Sequence, residues 1–286
     1  MRVAVIGSTG QLGQDLMRVF GEEAVGFAHE DLEVTNEESV MAAVRSVEPN
    51  WVLNTAAFHR VDDCEVDPTL AFAVNATGAL NVARAAADVG SGVAFFSSDY
   101  VFGGHDRKRG HPYEERETPH PLNVYGVAKL AGEQLVMQAN PRYLVVRSAG
   151  LYGTATSRKG WTFPELMLNK ARTEGALRVV TDQVLSPTFT ADLAQKTKEL
   201  IEKDVVGLFH LTNAGECSWY EFARGALELA GVEAKMEEIS TGQLKQRARR
   251  PSYSALDTAY LEEVGLEPLR PWEEALGDYL RVKGII

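Results

Sequence analysis

Cysteine is nearly absent: the 286-residue chain has two, Cys64 and Cys217, and neither belongs to a Cys-x-x-Cys pair or to a histidine spacing that would suggest a metal site. A disulfide framework and a zinc module are therefore not expected, and a reduced, cytoplasmic setting fits. Cys64 lies among Asp62, Asp63 and Glu65, which disfavour a thiolate, so it reads as structural. Positive charge is also in deficit, with 29 Lys and Arg against 40 Asp and Glu, a formal net charge of -11. A general binder of nucleic acid or of anionic membranes needs a basic surface and is not expected. No apolar run approaches the roughly 18 residues of a membrane span. The N-terminal apolar run is too short for a secretion signal and leads straight into a glycine loop. Repeats and low-complexity tracts are missing as well.

What is present is a chain with 45% hydrophobic and 24% charged residues, long enough for a large core in one domain with an appendage or in two domains. Short apolar runs alternate with helical stretches, as in an α/β fold with a parallel sheet. Strands are expected at 3–6, 24–28, 51–54, 93–97 and 143–147, with helices at 12–20, 37–47, 70–89 and 121–139. Beyond residue 150 the pattern loosens. Helices are expected at 163–173, 191–202, 219–230 and near 272–282, and strands at 177–180 and 208–211. Ser218 and Glu221 form a capping-box pair. The charged loop 105–111 reads as solvated surface.

Tyr125 and Lys129 stand four residues apart within the expected helix 121–139, so phenol and ammonium share one face, and Ser98 lies 27 positions upstream of Tyr125. A phenol with a pKa of about 10 is a sluggish acid at neutral pH. A nearby ammonium favours tyrosinate and brings that pKa toward the working range. A serine hydroxyl can donate to a carbonyl oxygen as negative charge develops there. A glycine loop, Gly7-Ser-Thr-Gly10-Gln-Leu-Gly13, follows the first strand. It would let the backbone approach a pyrophosphate at the N-terminus of a helix. Together these features point to hydride transfer between a nicotinamide dinucleotide and a carbonyl or alcohol. The second strand has no clear acid at its tip and no adjacent arginine for a 2′-phosphate, so NADH and NADPH stay open.

These residues, with Asn54-Thr-Ala-Ala57, Val61-Asp62 and Glu65, Asn75-Ala-Thr, Ser97-Ser-Asp-Tyr-Val-Phe102, Pro112-Tyr-Glu-Glu115, Pro121 through Glu133, Asp182-Gln183, Pro187-Thr188, His210-Leu-Thr-Asn213 and Arg250-Pro-x-x-Ser254, are similar to the extended short-chain dehydrogenase/reductases. Within them the chain resembles the dTDP-4-dehydrorhamnose reductases along nearly its whole length. The resemblance implies a Rossmann-like doubly wound sheet with a smaller C-terminal α/β lobe. It places dinucleotide binding in 1–153 and about 177–215, and the sugar-nucleotide lobe in about 154–176 and 216–286. It implies NADPH- or NADH-dependent reduction of the C4 ketone of a dTDP-bound 4-keto-6-deoxy sugar to dTDP-L-rhamnose. Tyr125 would be the proton donor, Lys129 the ligand of the nicotinamide ribose that lowers the Tyr125 pKa, and Ser98 a second contact to the same oxygen. Gly7, Gly10, Gln11, Leu12 and Gly13 would hold the pyrophosphate, Glu33 and Val34 would lie near adenine, and Ala56 and Ala57 along the cofactor ribose. Tyr100 and Arg250 would contact substrate. No metal ligand set is read, and a homodimer is compatible with the resemblance.

Several positions depart from the family's pattern. Gly150 stands where it carries Trp, Leu185 stands where it carries Gly, and Phe58-His59-Arg60 replaces small or hydroxyl residues. These departures leave the sugar open. His59 reads as a surface or hydrogen-bonded side chain, with a substrate contact as its alternative. The basic run Lys245, Arg247, Arg249 and Arg250 is a solvated loop or, at Arg250, a diphosphate ligand. Tyr113 and Trp161 are packing residues or thymine-stacking partners. Two other functions remain open: a binding subunit resembling the regulatory β subunit of methionine adenosyltransferase, and another nucleotide-sugar reductase or epimerase.

Overall fold

The apolar runs assemble into one six-stranded sheet, and the computed structural model describes residues 1–104, 109–155 and 160–286. Its strands lie in the order Gly207–His210, Tyr143–Arg147, Gly92–Phe96, Trp51–Asn54, Val3–Ile6, Ala24–Phe27, and every neighbouring pair is parallel. Side chains alternate between the faces of a strand, which the sequence encodes as unbroken apolar runs. Val3, Val5, Leu53 and Phe209 pack on one face against the helices Gln11–Phe20 and Thr190–Glu202. Ala4, Ile6, Val52 and Val145 pack on the other against Glu37–Val47, Ala79–Asp88 and Val124–Ala139. The order reverses at Val3–Ile6, whose neighbours lead to either side. Open α/β sheets take ligands in the crevice beyond the strand ends at such a switch point.

A second core gathers Met167, Leu168, Leu177, Val179, Phe222, Trp272 and Tyr279. There Ala176–Val180 pairs in parallel with Lys235–Ile239, apart from the large sheet, whereas Gly207–His210 extends that sheet. The strand Lys235–Ile239 reads as a polar segment in the sequence because most of its side chains stay exposed. The capping box at Ser218 forms: its N–H donates to Glu221 Oε2 at 2.7 Å, and the Glu221 N–H donates to Ser218 Oγ at 3.1 Å.

Two helices differ from expectation near the crevice. The helical region expected at 70–89 begins at Pro68, with Asp67 capping it, and passes through a π-helical turn, Ala73–Gly78, before Ala79–Asp88. The helix expected from residue 121 begins at Val124, because Asn123 is its N-cap and accepts from the Gly126 N–H at 2.8 Å. Of the charged loop 105–111, residues 105–108 lie outside the described residues. Arg109 is buried in an ion pair with Glu117 and lies 3.8 Å from the centre of the Tyr113 ring, so it is not solvated surface.

Candidate active site

The loop after the first strand is shaped by close approach. A Cβ on Gly13 would lie 2.1 Å from the Gly7 carbonyl oxygen, so only glycine lets the helix start so near the loop. The Gly7 and Ser8 N–H groups are spent on Phe27 O, at 2.9 and 3.1 Å. Gly10 is the exposed N-cap of Gln11–Phe20; no side chain caps that end, and no acidic residue stands in its first turn. Free N–H groups and the helix dipole therefore face the crevice, which suits a pyrophosphate. A Cβ at Gly10 would press on Gly7 O at 3.2 Å and meet no other atom within 4 Å. Ala56 and Ala57 are half-buried just after the neighbouring strand. Glu33 is half-buried, 3.6 Å from His29, whereas Val34 is buried and its carbonyl accepts from Asn81 Nδ2 at 3.0 Å.

Ser98 follows the strand Gly92–Phe96 and lies beside Tyr125 in the first turn of Val124–Ala139. Ser98 Oγ donates to Asp99 Oδ1 at 2.9 Å and accepts from the Tyr100 N–H at 3.2 Å. The Tyr100 ring meets Tyr125 edge-on, with centroids 6.0 Å apart. Lys129 is buried, with Nζ 4.1 Å from the centre of the Phe95 ring. Burial pulls its pKa down to about 7, against the opposing charge of Glu133 one turn on. Glu133 is itself buried and accepts from Arg147 Nε at 2.9 Å and Nη2 at 2.7 Å.

Burial pushes the Tyr125 hydroxyl well above the usual phenol value, against a hydrogen bond with Ser98, and the Asp99 charge pushes the same way. The net direction is upward, opposite to the lowering expected from Lys129, because desolvation dominates at the hydroxyl while the Lys129 ammonium lies over the Phe95 ring.

The C-terminal segment docks on this centre. Asn123 Nδ2 donates to Arg249 O at 2.8 Å, and the Ala248 N–H donates to Asp62 Oδ1, also at 2.8 Å. Arg250 is largely buried, 3.3 Å from Asp62, with its charge felt at Tyr100. Lys245, Arg247 and Arg249 are exposed. Ser254 Oγ donates to Asp99 Oδ2 at 2.6 Å. Glu65, on the helix Val61–Val66, accepts from the Val124 N–H at 2.8 Å. Sequence reasoning did not single out the contacts of Glu65, Glu133 or Ser254. Only Glu133 carried a usable signal, an acid four residues after Lys129 on the same helical face.

Elsewhere the crevice is plainer. Tyr113 is buried and stacked on Phe102 at 4.2 Å, which makes it a packing residue and not a base-stacking one. Trp161 and His59 are exposed. A Cβ on Gly150, whose φ is +52°, would lie 2.6 Å from Leu185 Cδ1. The large residue at 185 thus fills the space that the small one at 150 leaves. Cys64 is buried beside Tyr125, and burial pushes its thiol up to about 11, as an inert cysteine requires. No described helix is long and apolar enough to cross a membrane.

Residues 1–284 match the family described as RmlD substrate binding domain. The dTDP-4-dehydrorhamnose reductase of Mycolicibacterium smegmatis is 38% identical over 284 residues, covering 97% of this chain and 84% of that protein. A crystal structure of a dTDP-4-dehydrorhamnose reductase from Clostridium acetobutylicum is 36% identical, with a TM-score of 0.93 and 99% of both chains covered. The Bacillus anthracis dTDP-4-dehydrorhamnose reductase, solved in complex with NADP, is 34% identical with a TM-score of 0.93, covering 98% of this chain and 99% of that one.

Proposed function

The chain belongs to the RmlD substrate-binding-domain family, and on that premise we propose that it reduces the C4 ketone of dTDP-4-dehydro-6-deoxy-L-mannose to dTDP-L-rhamnose with NADPH or NADH. The observation that carries this reading is the meeting of Ser98 and Tyr125, with Lys129 one turn along the same helix, beside a crevice whose glycine loop opens onto an uncapped helix end.

The dinucleotide supplies a hydride when bound. Gln11, Leu12 and Gly13 would hold its pyrophosphate through backbone N–H groups, with Gly7 and Gly10 shaping the turn against it, the Gly10 N–H donating to Gly7 O at 3.0 Å. Glu33 and Val34 would flank the adenine end, and Ala56 and Ala57 the ribose. Tyr125 donates its hydroxyl proton to the C4 oxygen, and Ser98 donates a hydrogen bond to the same oxygen as charge builds there. Lys129 holds the ribose next to the nicotinamide; its ammonium then stabilises the tyrosinate left behind. Burial keeps Tyr125 protonated until a ketone is in place, which suits a proton donor.

Tyr100 lies edge-on to Tyr125 and lines the sugar site. Arg250 approaches from the C-terminal segment and binds the diphosphate, with Asp62 holding the guanidinium until substrate arrives. The exposed Trp161 is available to the base, and Leu185 borders the sugar in place of an aromatic wall at 150. In this reading residues 1–153 with the strand Gly207–His210 form the dinucleotide half. The second core, including Ala176–Val180 and most residues from 216 onward, forms the substrate lobe, while Leu261, Leu266 and Leu269 pack back on the large-sheet core. Free Cys64 and Cys217 fit a cytoplasmic enzyme.

The test is turnover of dTDP-4-dehydro-6-deoxy-L-mannose, followed by loss of reduced-nicotinamide absorbance. Consumption by wild type and its collapse in Tyr125→Phe support the reading. Equal rates in the two proteins would contradict it.

A further inference from the structure

Asp99 lies directly beneath the reacting groups, buried, and both of its carboxyl oxygens are taken by hydroxyls: Ser98 at 2.9 Å on Oδ1 and Ser254 at 2.6 Å on Oδ2. Its own N–H is fixed to Ser148 O at 2.9 Å. The titratable groups that feel its charge are Tyr100 beside it and Tyr125 on Val124–Ala139; Tyr100 also feels Arg250 on the docked segment and Asp62 on Val61–Val66, and Tyr125 feels Cys64 on that same helix.

A serine hydroxyl has one proton and two lone pairs. The Tyr100 N–H fills one lone pair of Ser98. If Asp99 is a carboxylate, the Ser98 proton is committed to it, and Ser98 has nothing to donate to a ketone. A carboxylate there would also oppose negative charge on the ketone oxygen and on Tyr125. If Asp99 carries the proton, the same 2.9 Å contact runs the other way and frees the Ser98 proton. We propose that Asp99 is a positioning residue that works as the neutral carboxylic acid. Its Oδ1–H donates to Ser98 Oγ, Oδ2 accepts from Ser254, and the Ser98 proton is thereby aimed at the substrate's carbonyl oxygen. No net proton leaves Asp99 in the cycle. The inference rests on Ser98 being a donor to that oxygen, as proposed above.

Burial favours this form, raising Asp99 to about 6 although both serine hydroxyls pull it back. Loss of water when cofactor and sugar close over the site raises it further. The sign follows: the working form is protonated, so the rate falls as pH rises through the Asp99 pKa.

The experiment is the pH profile of kcat, with dTDP-4-dehydro-6-deoxy-L-mannose and NADPH, for wild type, Asp99→Ala, Asp99→Asn, Ser254→Ala and Ser98→Ala. Circular dichroism and NADPH affinity serve as controls. Asp99→Ala should lower kcat by roughly ten- to a hundredfold, a part of the loss seen when an oxyanion donor is removed. Asp99→Asn should rescue most of that loss, because an amide donates to Ser98, accepts from Ser254 and does not titrate. Its profile should lack the alkaline decline due to Asp99 while keeping any decline due to Lys129. Ser254→Ala removes a hydrogen bond that holds the Asp99 pKa down, so its decline should move to higher pH. Asp99→Asn as slow as Asp99→Ala, with fold and cofactor affinity intact, would overturn the inference and make the carboxylate the working form. A Ser254→Ala decline that stays put or moves to lower pH would also overturn it. Ser98→Ala at the wild-type rate would instead remove the donor role of Ser98, and this inference with it. A slow Ser98→Ala beside a slow Asp99→Asn sinks the inference alone. If Asp99→Ala does not fold, the Asn and Ser254 variants decide the matter.

Discussion

Replacing Glu133 should cost more stability than any surface change near the site. Its side chain is 0% exposed and that of its partner Arg147 is 3% exposed. Arg147 reaches it through both Nε and Nη2, and Ser97 donates to it as well. Arg147 Nη1 already lacks a hydrogen-bond partner in the described structure, and the guanidinium's other neighbours are the Phe102 ring at 5.0 Å and the charge of Glu115. Glu133→Ala therefore leaves a buried guanidinium without its hydrogen-bonded carboxylate, and breaking such a pair costs about 3–5 kcal/mol. That is a large share of a typical stability of roughly 5–15 kcal/mol. The same change removes the one charge that holds the Lys129 pKa up. Glu133→Gln keeps the shape and an acceptor for Arg147 but not the charge, and should cost less. Urea unfolding monitored by circular dichroism gives the values. A loss below about 1 kcal/mol in Glu133→Ala, within the range of surface pairs, would refute the assignment of a desolvated, mutually dependent pair.

Tyr125→Phe keeps the ring but removes the proton donor, so kcat should fall by at least about a hundredfold with NADPH affinity preserved, as steady-state rates and calorimetry would show. Gly10→Glu tightens one contact, with Gly7 O, and sets a negative charge at the helix N-terminus; calorimetry should find no NADPH binding, and unchanged affinity would refute the pyrophosphate site. Arg250→Ala should raise KM roughly tenfold to a hundredfold or more, with kcat largely kept, since one charge-assisted hydrogen bond contributes about 1.5–3 kcal/mol. Lys129 titrates at about 7 in the folded protein against 10.5 as its ordinary value. Between these values the unfolded chain holds the extra proton, so stability should rise with pH above about 7 and Lys129→Met should flatten that rise in urea titrations.

The parallel sheet was legible because its strands are buried on both faces and appear as uninterrupted apolar runs. The glycine loop and the Tyr125–Lys129 pair were legible because their spacing is local. What escaped the sequence depends on contacts between distant segments. The helix Val61–Val66 is short and largely polar, and its importance lies in Glu65 holding the start of Val124–Ala139 and Asp62 holding Ala248. Lys235–Ile239 lacks an apolar run because it buries only Ile239 and part of Met236 and is held as a strand mainly by pairing with Ala176–Val180. The upward push on Tyr125 could not be foreseen from a lysine one turn away, since it depends on how much water the surrounding chain excludes.

The central claim is that hydride reaches C4 of a dTDP-linked sugar in this crevice. NADPH or NADH deuterated on the transferred position, incubated with dTDP-4-dehydro-6-deoxy-L-mannose and the wild-type protein, tests it most directly by NMR of the product. The account predicts dTDP-L-rhamnose carrying deuterium at C4, with the H4 resonance lost. Unlabelled product, label at another carbon, or no product from either cofactor would contradict it.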